Sequence, residues 1–206
     1  MFEKYEKIQK ELAKLLILKD KFEKIEKVAG VDQAFLGNYV LSEAVVVSFS
    51  NFEILERKWA LKQTDFPYIP GLLCFREGDV AVEALKKLEN KPDIVFVDGS
   101  GIAHPRKFGL ACYVGLKTGL PTIGVTKSHL VGKYDKKSDV SKLTLGNSQV
   151  GWVLGKGKVF ISPGYKVSIK SCLDITKKSM IKNYPEPILI AHKYAKKDLA
   201  SMFPNY

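Results

Sequence analysis

The sequence predicts an α/β protein with a central mixed β-sheet flanked by helices. Its first half contains three β-branched and aromatic runs joined by short turns, which is typical of an antiparallel meander. The later sequence alternates apolar strands with amphipathic helices, which indicates βα units added to the same sheet. A chain of 206 residues is long enough for one large core, so we expect residues 1–206 to form a single domain.

The composition is that of an ordinary globular protein. Apolar residues make up 46% of the chain and charged residues 27%, which argues against disordered, collagen-like or disulfide-dense classes. Cys74, Cys112 and Cys172 form no CxxC pair, so we expect reduced, buried thiols. The N-terminus mixes Glu and Lys where a signal peptide needs an apolar run, and no stretch resembles a membrane span. We therefore expect a soluble cytoplasmic protein with no membrane partner.

The first elements follow from hydrophobic spacing. Apolar residues at helical intervals in a Lys/Glu background predict one amphipathic helix up to about Lys27. Three strands are then predicted in VAGVDQAF, YVLSEAVVVSFS and FEILERKWALK, with turns at Gly37-Asn38 and Ser50-Asn51. The next stretch, DFPYIPG, breaks regular structure because its two closely spaced prolines cannot continue a helix or a central strand.

The remaining elements alternate in type. A helix is predicted from residue 72 to about 88, followed by the strand DIVFVDG, which ends on Asp98 and Gly99. The loop SGIAHPRKFG leads to a helix at about 110–118 and the strand PTIGVT. After a Lys-rich segment come the strands VGWVLG and KVFIS, and helices near 168–183 and 186–202.

The charge of the chain is uneven. Its formal net charge is +11, which favours a polyanionic partner such as nucleic acid. Residues 133–206 hold 14 lysines and five acidic residues, whereas residues 1–132 are nearly balanced. A basic C-terminal part suits a phosphate backbone, although lysine-rich surfaces also arise from solubility or adaptation to heat.

Three acids occupy unusual positions. Asp32 lies within an apolar strand, Glu77 in the helix after the proline-rich loop, and Asp98 at the end of a buried-type strand. A carboxylate in such a strand is costly unless it is paired or binds a cation. Carboxylate oxygens suit Mg²⁺ or Mn²⁺, and such ions support phosphodiester hydrolysis. The alternative is a strand-end cap, a solvated helix face and a turn, and spacing alone leaves both open.

Other candidate groups carry weaker signals. The glycines of DGSG, before His104, would let backbone approach a ligand closely, but such glycines are usually structural. His192 lies on an amphipathic helix, where a histidine is more often structural than a ligand. Lys127 and Ser128 close a strand and could reach a phosphate, although a strand-end lysine is ordinarily solvated.

Five blocks of the sequence carry a family resemblance. They are VAGVDQAF, PYIPGLLCFRE, DGSGIAHPRKFGLACYVGLKTGLPTIGVTKSHL, SPGYKVS and PEPILIAHKYA. In wording and order they resemble endonuclease V, the deoxyinosine-directed repair nuclease family, over residues 28–198. The resemblance implies an RNase H-like fold, with an acidic site on the adjacent first and fourth strands.

The resemblance also implies roles for individual residues. Asp32 and Asp98 resemble direct ligands of Mg²⁺, which Mn²⁺ would replace, and Glu77 resembles a third acid that acts through metal or water. His192 resembles the family's histidine near a second metal position. The remaining sets are a DNA wedge (Pro67, Tyr68, Ile69, Pro70), a lesion-base pocket (Gly71, Gly99, Gly101, His104, Gly109) and phosphate contacts (Arg76, Lys127, Ser128).

Two positions depart from the family pattern. Tyr113 stands where GLAxHxG has a frequent histidine, and Tyr165 stands in place of the histidine of SPGH. Tyrosine can donate a hydrogen bond or stack, but it is not a near-neutral base. Any substrate contact that those histidines make is therefore in question.

The expected function is metal-dependent cleavage of DNA that contains deoxyinosine. The resemblance implies hydrolysis of the second phosphodiester bond 3′ to the lesion, with a 5′-phosphate product. We expect a monomer that needs no protein partner. One alternative is an inosine-directed ribonuclease or structure-selective nuclease of the same fold. Another is a non-catalytic nucleic-acid-binding module, against which the three acids argue.

Overall fold

A computed structural model of the chain describes residues 2–204. Its elements in chain order are α1 (Glu3–Ala13), β1 (Lys27–Leu36), β2 (Tyr39–Ser48), β3 (Ile54–Gln63), α2 (Leu73–Lys86), β4 (Ile94–Asp98), α3 (Leu110–Thr118), β5 (Thr122–Thr126), β6 (Val140–Leu145), β7 (Ser148–Leu154), β8 (Val159–Tyr165), α4 (Ile169–Ser179) and α5 (Glu186–Met202). The eight strands form one sheet in the order β3-β2-β1-β4-β5-β8-β7-β6.

The sheet is mixed, as the sequence predicts. β1, β2 and β3 form the expected antiparallel meander. β4 and β5 then join β1 in parallel, and β8, β7 and β6 continue the sheet in antiparallel fashion. Because the carboxyl ends of parallel strands meet at one edge, β1, β4 and β5 present their final residues together. Val31 pairs with Val97 in this register, which places Asp32 beside Asp98 on neighbouring strands.

Helices cover both faces of the sheet. On one face α2 and α3 pack against a core that includes Ala29, Val31 and Val95. On the other face α4 and α5 pack against a core that includes Val28 and Phe96. This alternation along β1 and β4 is the period of two that a strand imposes on a sheet buried on both faces.

Close packing fixes α5 against β1. A Cβ atom at Gly30 would lie 1.9 Å from the carbonyl oxygen of Pro187, in the first turn of α5. Only a glycine therefore lets the helix backbone rest on the strand at this point. The contact sets the position of the following turns of α5, which carry His192.

Two sequence predictions are wrong in detail. The predicted helix up to Lys27 ends at Ala13, because the segment after it forms backbone hydrogen bonds with the end of β8 through Ile17 and Lys21. The Lys-rich segment after β5 contains a further strand, β6, whose inward and outward residues alternate. Only Ser141 and Leu143 of this strand are buried, so its period-two pattern is too short to stand out in the sequence.

Other predictions hold. α3 spans the predicted residues, α2 and α4 are shorter than expected by a few residues, and α5 spans 186–202. The three cysteines are free and buried. Within residues 2–204, no helix has the length and apolar character needed to cross a membrane.

Candidate active site

The three predicted acids meet at the edge where the parallel strands end. Asp32 and Asp98 come from adjacent strands, and Glu77 comes from α2, on the opposite face of the sheet from α5. Burial, with a smaller effect from the charges of Asp32 and Asp98, raises the pKa of Glu77 to about 7 against the opposing charge of Arg76. This mutual electrostatic effect shows that the three carboxyl groups form one cluster.

Asp98 is held by two side chains. The hydroxyl of Tyr184 donates a hydrogen bond to Asp98 Oδ1 at 3.2 Å. Burial, and then the charge of Asp32, raise the pKa of Asp98, whereas Tyr184 and Lys127 act in the opposite direction. The Lys127 ammonium also lies 4.8 Å from the centre of the Tyr184 ring. Tyr184 therefore contacts both the acid and the lysine that the family resemblance assigns to the reaction.

Asp32 is oriented by α5 and by its own strand. Its Oδ2 atom lies 2.6 Å from Nδ1 of His192, and its Oδ1 atom accepts a hydrogen bond from the backbone N–H of Gln33 at 2.8 Å. The His192 side chain remains 44% exposed, so the imidazole borders solvent while holding the acid. The structure thus brings His192 into the acidic cluster.

The acidic cluster has donors that fit a divalent cation. Carboxylate oxygens are the ligands that Mg²⁺ and Mn²⁺ prefer. Burial, together with repulsion between the carboxylates, raises the pKa values of Glu77 and Asp98, and a bound cation would offset that repulsion. Across residues 2–204, no three His, Cys, Asp or Glu side chains are already arranged closely enough to hold an ion. The donor set fits such an ion by the chemistry of its oxygen atoms.

A cavity of about 300 Å³ opens beside the cluster, and Asp98 lines it. Four of the five predicted pocket residues lie in its wall, together with two of the four wedge residues and two predicted phosphate contacts: Gly71, Gly99, His104, Gly109, Tyr68, Pro70, Lys127 and Ser128. Lys127 and Ser128 are exposed at its mouth. The structure therefore gathers residues from distant parts of the chain around one concave site.

Gly101 is the pocket residue that the structure places elsewhere. A Cβ atom at Gly101 would lie 2.1 Å from the carbonyl oxygen of Pro163 in β8. Its backbone N–H donates to Ser162 Oγ at 2.9 Å. Gly101 thus lies behind the cavity wall, where it permits close packing of the loop against β8.

His104 lies in the cavity wall as a neutral ring. Its Nε2 atom lies 2.9 Å from the carbonyl oxygen of Gly71, and its Nδ1 atom accepts from the backbone N–H of Arg106. These partners require a proton on Nε2 and none on Nδ1. Burial, and then the charge of Arg106, lower the pKa of His104 to about 4.

Residues 67–70, which we call the wedge loop, project from the protein beside the cavity. Tyr68 at its tip is 67% exposed. Arg76, which the sequence assigns to phosphate binding, donates to the carbonyl oxygen of Phe66 at 2.6 Å and faces the ring of Phe35. The structure therefore places Arg76 at the base of the wedge loop.

The two tyrosines that depart from the family pattern lie in different places. The Tyr113 ring packs on Gly78, which follows Glu77 in α2. The Tyr113 hydroxyl donates to Asp79 of α2. Tyr165 pairs with Thr122 at the beginning of β5, whereas the acidic edge lies at the end of that strand. Each residue advances a strand by about 3.3 Å. Tyr165 is therefore separated from the acidic cluster by almost the full length of β5.

Sequence reasoning missed three residues of the site. Tyr184 precedes the PEP block but lies in a loop, and no pattern marked its hydroxyl for Asp98. Gln9 lies in α1, where the helical pattern indicates packing alone, and Arg106 lies in the loop SGIAHPRKFG, which carries no periodic signal. Gln9 and Arg106 both contact the carbonyl oxygen of Gly71.

Comparisons with known proteins agree with this geometry. The mixed sheet, with carboxylates on its adjacent β1 and β4, places the chain in the RNase H-like class. The model of the Endonuclease V family matches residues 10–193. An endonuclease V of Archaeoglobus fulgidus is 40% identical over 212 residues, which cover 98% of this chain and 96% of that protein. The chain therefore belongs to the endonuclease V family.

Solved structures agree on the fold. The crystal structure of an endonuclease V from Streptomyces avermitilis is 32% identical and matches with a TM-score of 0.90, covering 98% of this chain and 94% of that one. A Ciona intestinalis endonuclease V, in complex with a 24mer DNA containing an inosine followed by a ribo-adenosine, is 23% identical, with a TM-score of 0.89 and 98% coverage of each chain. At that identity the second match supports the fold alone.

Proposed function

We propose that this chain is an endonuclease that hydrolyses DNA containing deoxyinosine at the second phosphodiester bond 3′ to the lesion. The products would be a 3′-hydroxyl and a 5′-phosphate, and the nicking would begin repair of deaminated adenine. One observation carries the proposal: Asp98 belongs both to the acidic cluster with Asp32 and to the wall of the cavity of about 300 Å³. A base held in the cavity would therefore lie next to groups suited to phosphodiester hydrolysis.

The cavity supports recognition of a single everted base. Its volume is at the lower end of the range for ligand pockets. The first turn of α2 lines it through Leu73 and Cys74, and the N-cap residue Leu72 provides no side-chain acceptor. Helix N-terminal N–H donors suit the 6-oxo group of hypoxanthine, which adenine lacks. Hypoxanthine also pairs weakly, so its eversion costs less than that of a well-paired base.

The wedge loop supports eversion from a duplex. Its two prolines restrict the backbone, so the loop loses little entropy when it inserts. The exposed ring of Tyr68 is suited to stack in the space that the base leaves. The proposed order is therefore insertion of Tyr68 on one side and capture of the base in the cavity on the other.

The chain's own residues would perform separate tasks in hydrolysis. Asp32, Asp98 and Glu77 would hold Mg²⁺, for which Mn²⁺ would substitute, and the ion would activate water and offset charge on the phosphate. His192 would keep Asp32 oriented through its Nδ1–H. Lys127, exposed beside Asp98, would face the phosphate as a point charge.

The same site admits a second substrate class. The Ciona intestinalis relative is bound to inosine followed by a ribo-adenosine, so we also consider inosine in RNA. A DNA duplex with one ribonucleotide 3′ to the inosine separates the two, because an RNA-directed enzyme needs the 2′-hydroxyl. Cleavage of the all-DNA substrate at an equal rate would favour the deoxyinosine proposal. A strong preference for the ribonucleotide would favour the alternative.

The main test compares a labelled duplex containing deoxyinosine with the same duplex containing deoxyadenosine, with Mg²⁺ or with EDTA. We expect a nick at the second phosphodiester bond 3′ to the inosine when Mg²⁺ is present. We expect none in the deoxyadenosine duplex or with EDTA. Asp32→Asn should abolish the nick and retain most DNA binding, whereas Asp174→Asn, at an exposed position of α4, should act like the parent. Equal cutting of both duplexes would overturn the lesion specificity. Full activity of Asp32→Asn would overturn the assignment of the acids.

The basic surface and the assembly can be tested separately. Electrostatic contact with the DNA backbone predicts binding that weakens steadily as salt rises.

We also propose that the protein acts as a monomer without a protein partner, in the cytoplasm. Sedimentation at several protein concentrations checks the monomeric state, and a mass that depends on concentration would contradict it.

A further inference from the structure

Gln9 of α1 is a buried polar residue in the wall of the cavity, and its amide is bonded to protein groups outside the acidic cluster. Its side chain is 0% exposed. The Nε2 group donates to the carbonyl oxygens of Gly71 and Phe108 at 3.0 and 2.9 Å, and Oε1 accepts from Arg106 Nε at 2.6 Å. Both the nitrogen and the oxygen of this buried amide are hydrogen-bonded, so Gln9 joins α1 to specific partners. An unpaired polar group in this place would be costly.

The carbonyl oxygen of Gly71 is where these contacts converge. It lies within hydrogen-bond distance of three side chains, namely Gln9 Nε2 at 3.0 Å, His104 Nε2 at 2.9 Å and Arg106 Nη2 at 2.7 Å. Gly71 has a φ of +84°, which an L side chain rarely adopts. Three donors therefore hold a special backbone conformation at the residue that follows the wedge loop.

The N-terminal end of the wedge loop also contacts α1, through Phe66. The Phe66 ring packs edge-on against Tyr5 with their centres 5.0 Å apart. The Phe66 carbonyl accepts from Arg76. The wedge loop thus lies between two fixed carbonyl groups, and α1 contacts the residue at each end, through the Phe66 ring and the Gly71 carbonyl oxygen.

We propose that Gln9, together with Arg106, is a positioning residue that holds the wedge loop in its inserting shape. This inference rests on the proposed function of that loop. A loop that is ordered before contact loses less entropy when it enters the duplex. Gln9 also lines the cavity, but its amide is already bonded to Gly71, Phe108 and Arg106. Its loss should therefore affect the opening of a base pair more than the steps that follow.

The test compares inosine in a duplex with inosine in a single strand, where no base pair has to be opened. Gln9→Met keeps the length of the side chain and removes both donors and the acceptor. We expect kcat/KM on the duplex to fall about tenfold, the effect of losing roughly one hydrogen bond to a buried partner. The rate on the single strand should fall clearly less than the duplex rate, since no base pair has to be opened there.

A matched control is Gln149→Met, because the Gln149 amide also donates to a backbone carbonyl but lies on β7. It should change neither rate. If Gln9→Met does not fold, Glu6→Gln weakens the same network, because Glu6 is the other partner of Arg106 at 3.1 Å and is 44% exposed. It should lower duplex cleavage about threefold, with the single strand unaffected.

The outcomes separate this inference from the proposed function. Equal losses on duplex and single strand, or no loss on either, would overturn the positioning role. The proposed function fails instead if the parent protein itself cuts neither inosine substrate. A fluorescent base analogue opposite the lesion provides a second readout, and it should report slower base-pair opening in Gln9→Met.

Discussion

Nδ1 of His192 lies 2.6 Å from Oδ2 of Asp32, which joins α5 to β1 across 160 residues of sequence. The contact exists because α5 rests directly on the strand at Gly30. The hydrogen bond fixes one face of the Asp32 carboxylate, while the backbone N–H of Gln33 holds the other oxygen. The acid can therefore present a defined orientation to a cation or a water molecule.

We predict that His192→Ala lowers the single-turnover rate on inosine duplex about 100-fold, because Asp32 loses its orienting partner. DNA affinity should change little. Single-turnover kinetics and a binding titration measure the two quantities. Ser201→Ala, at an exposed position later on α5, is the control. A wild-type rate for His192→Ala would exclude a role for the imidazole.

Tyr184 contributes both a hydroxyl and a ring to the site, and two substitutions separate the effects of the two groups. Tyr184→Phe removes the donor to Asp98 and keeps the ring that faces Lys127. We predict that it raises the Mg²⁺ concentration required for half-maximal activity about tenfold, since partners of ligand groups commonly contribute that much. Calorimetry with Mn²⁺, without DNA, should show the same weakening.

Tyr184→Leu removes the ring as well as the hydroxyl. We predict a further fall in rate because Lys127 loses its contact with the ring. Metal affinity in the leucine variant should match that in the phenylalanine variant. Unchanged metal binding in both would contradict a role for Tyr184 in orienting Asp98.

His104 predicts a pH-dependent stability. Its pKa falls from 6.5 in the unfolded chain to about 4 in the fold, so the unfolded chain binds the proton more readily in acid. The stability contribution is complete above pH 6.5 and is lost as pH falls towards 4. Between pH 7.5 and 5 we expect the contribution of His104 to the free energy of unfolding to fall by roughly 2 kcal/mol, at 1.36 kcal/mol per pKa unit.

Denaturant titrations of the parent and of His104→Gln measure that loss. Glutamine keeps a donor for the Gly71 carbonyl and does not titrate. The parent should lose about 2 kcal/mol more than the variant between the two pH values. Parallel pH profiles would show that the buried imidazole does not remain neutral.

Gly30 tests the packing that brings α5 to the acidic cluster. In Gly30→Ala, the new methyl group would overlap the Pro187 carbonyl, and a backbone atom cannot rotate aside. We predict a loss of about 3 kcal/mol in unfolding free energy, and lower activity because His192 shifts with the helix.

The matched control for this packing effect is Gly37→Ala. Gly37 has a φ of +54° and no neighbour within 4 Å of an added Cβ, so only backbone strain of about 1 kcal/mol is expected. The difference between the two variants isolates the packing contribution. Equal losses would show that α5 yields easily at this contact.

Much of the fold follows from local patterns. The meander of β1, β2 and β3, the buried β4 strand and α3 all carry their own periodicity and turn residues, so their type could be predicted from short stretches. The acids were recognisable for a related reason, since a carboxylate inside or at the end of an apolar strand is out of place without a partner. The family blocks then predicted which acids act together.

The partners of those groups depended on tertiary structure. The helix at the N-terminus ends early because its continuation pairs with the end of β8. Arg76 supports the wedge loop, and Gly101 supports the pocket from behind. Tyr184 and Gln9 reach Asp98 and Gly71 from segments 86 and 62 residues away. Local sequence determines the period of each element, but a contact between distant side chains exists only after packing has fixed where the elements lie.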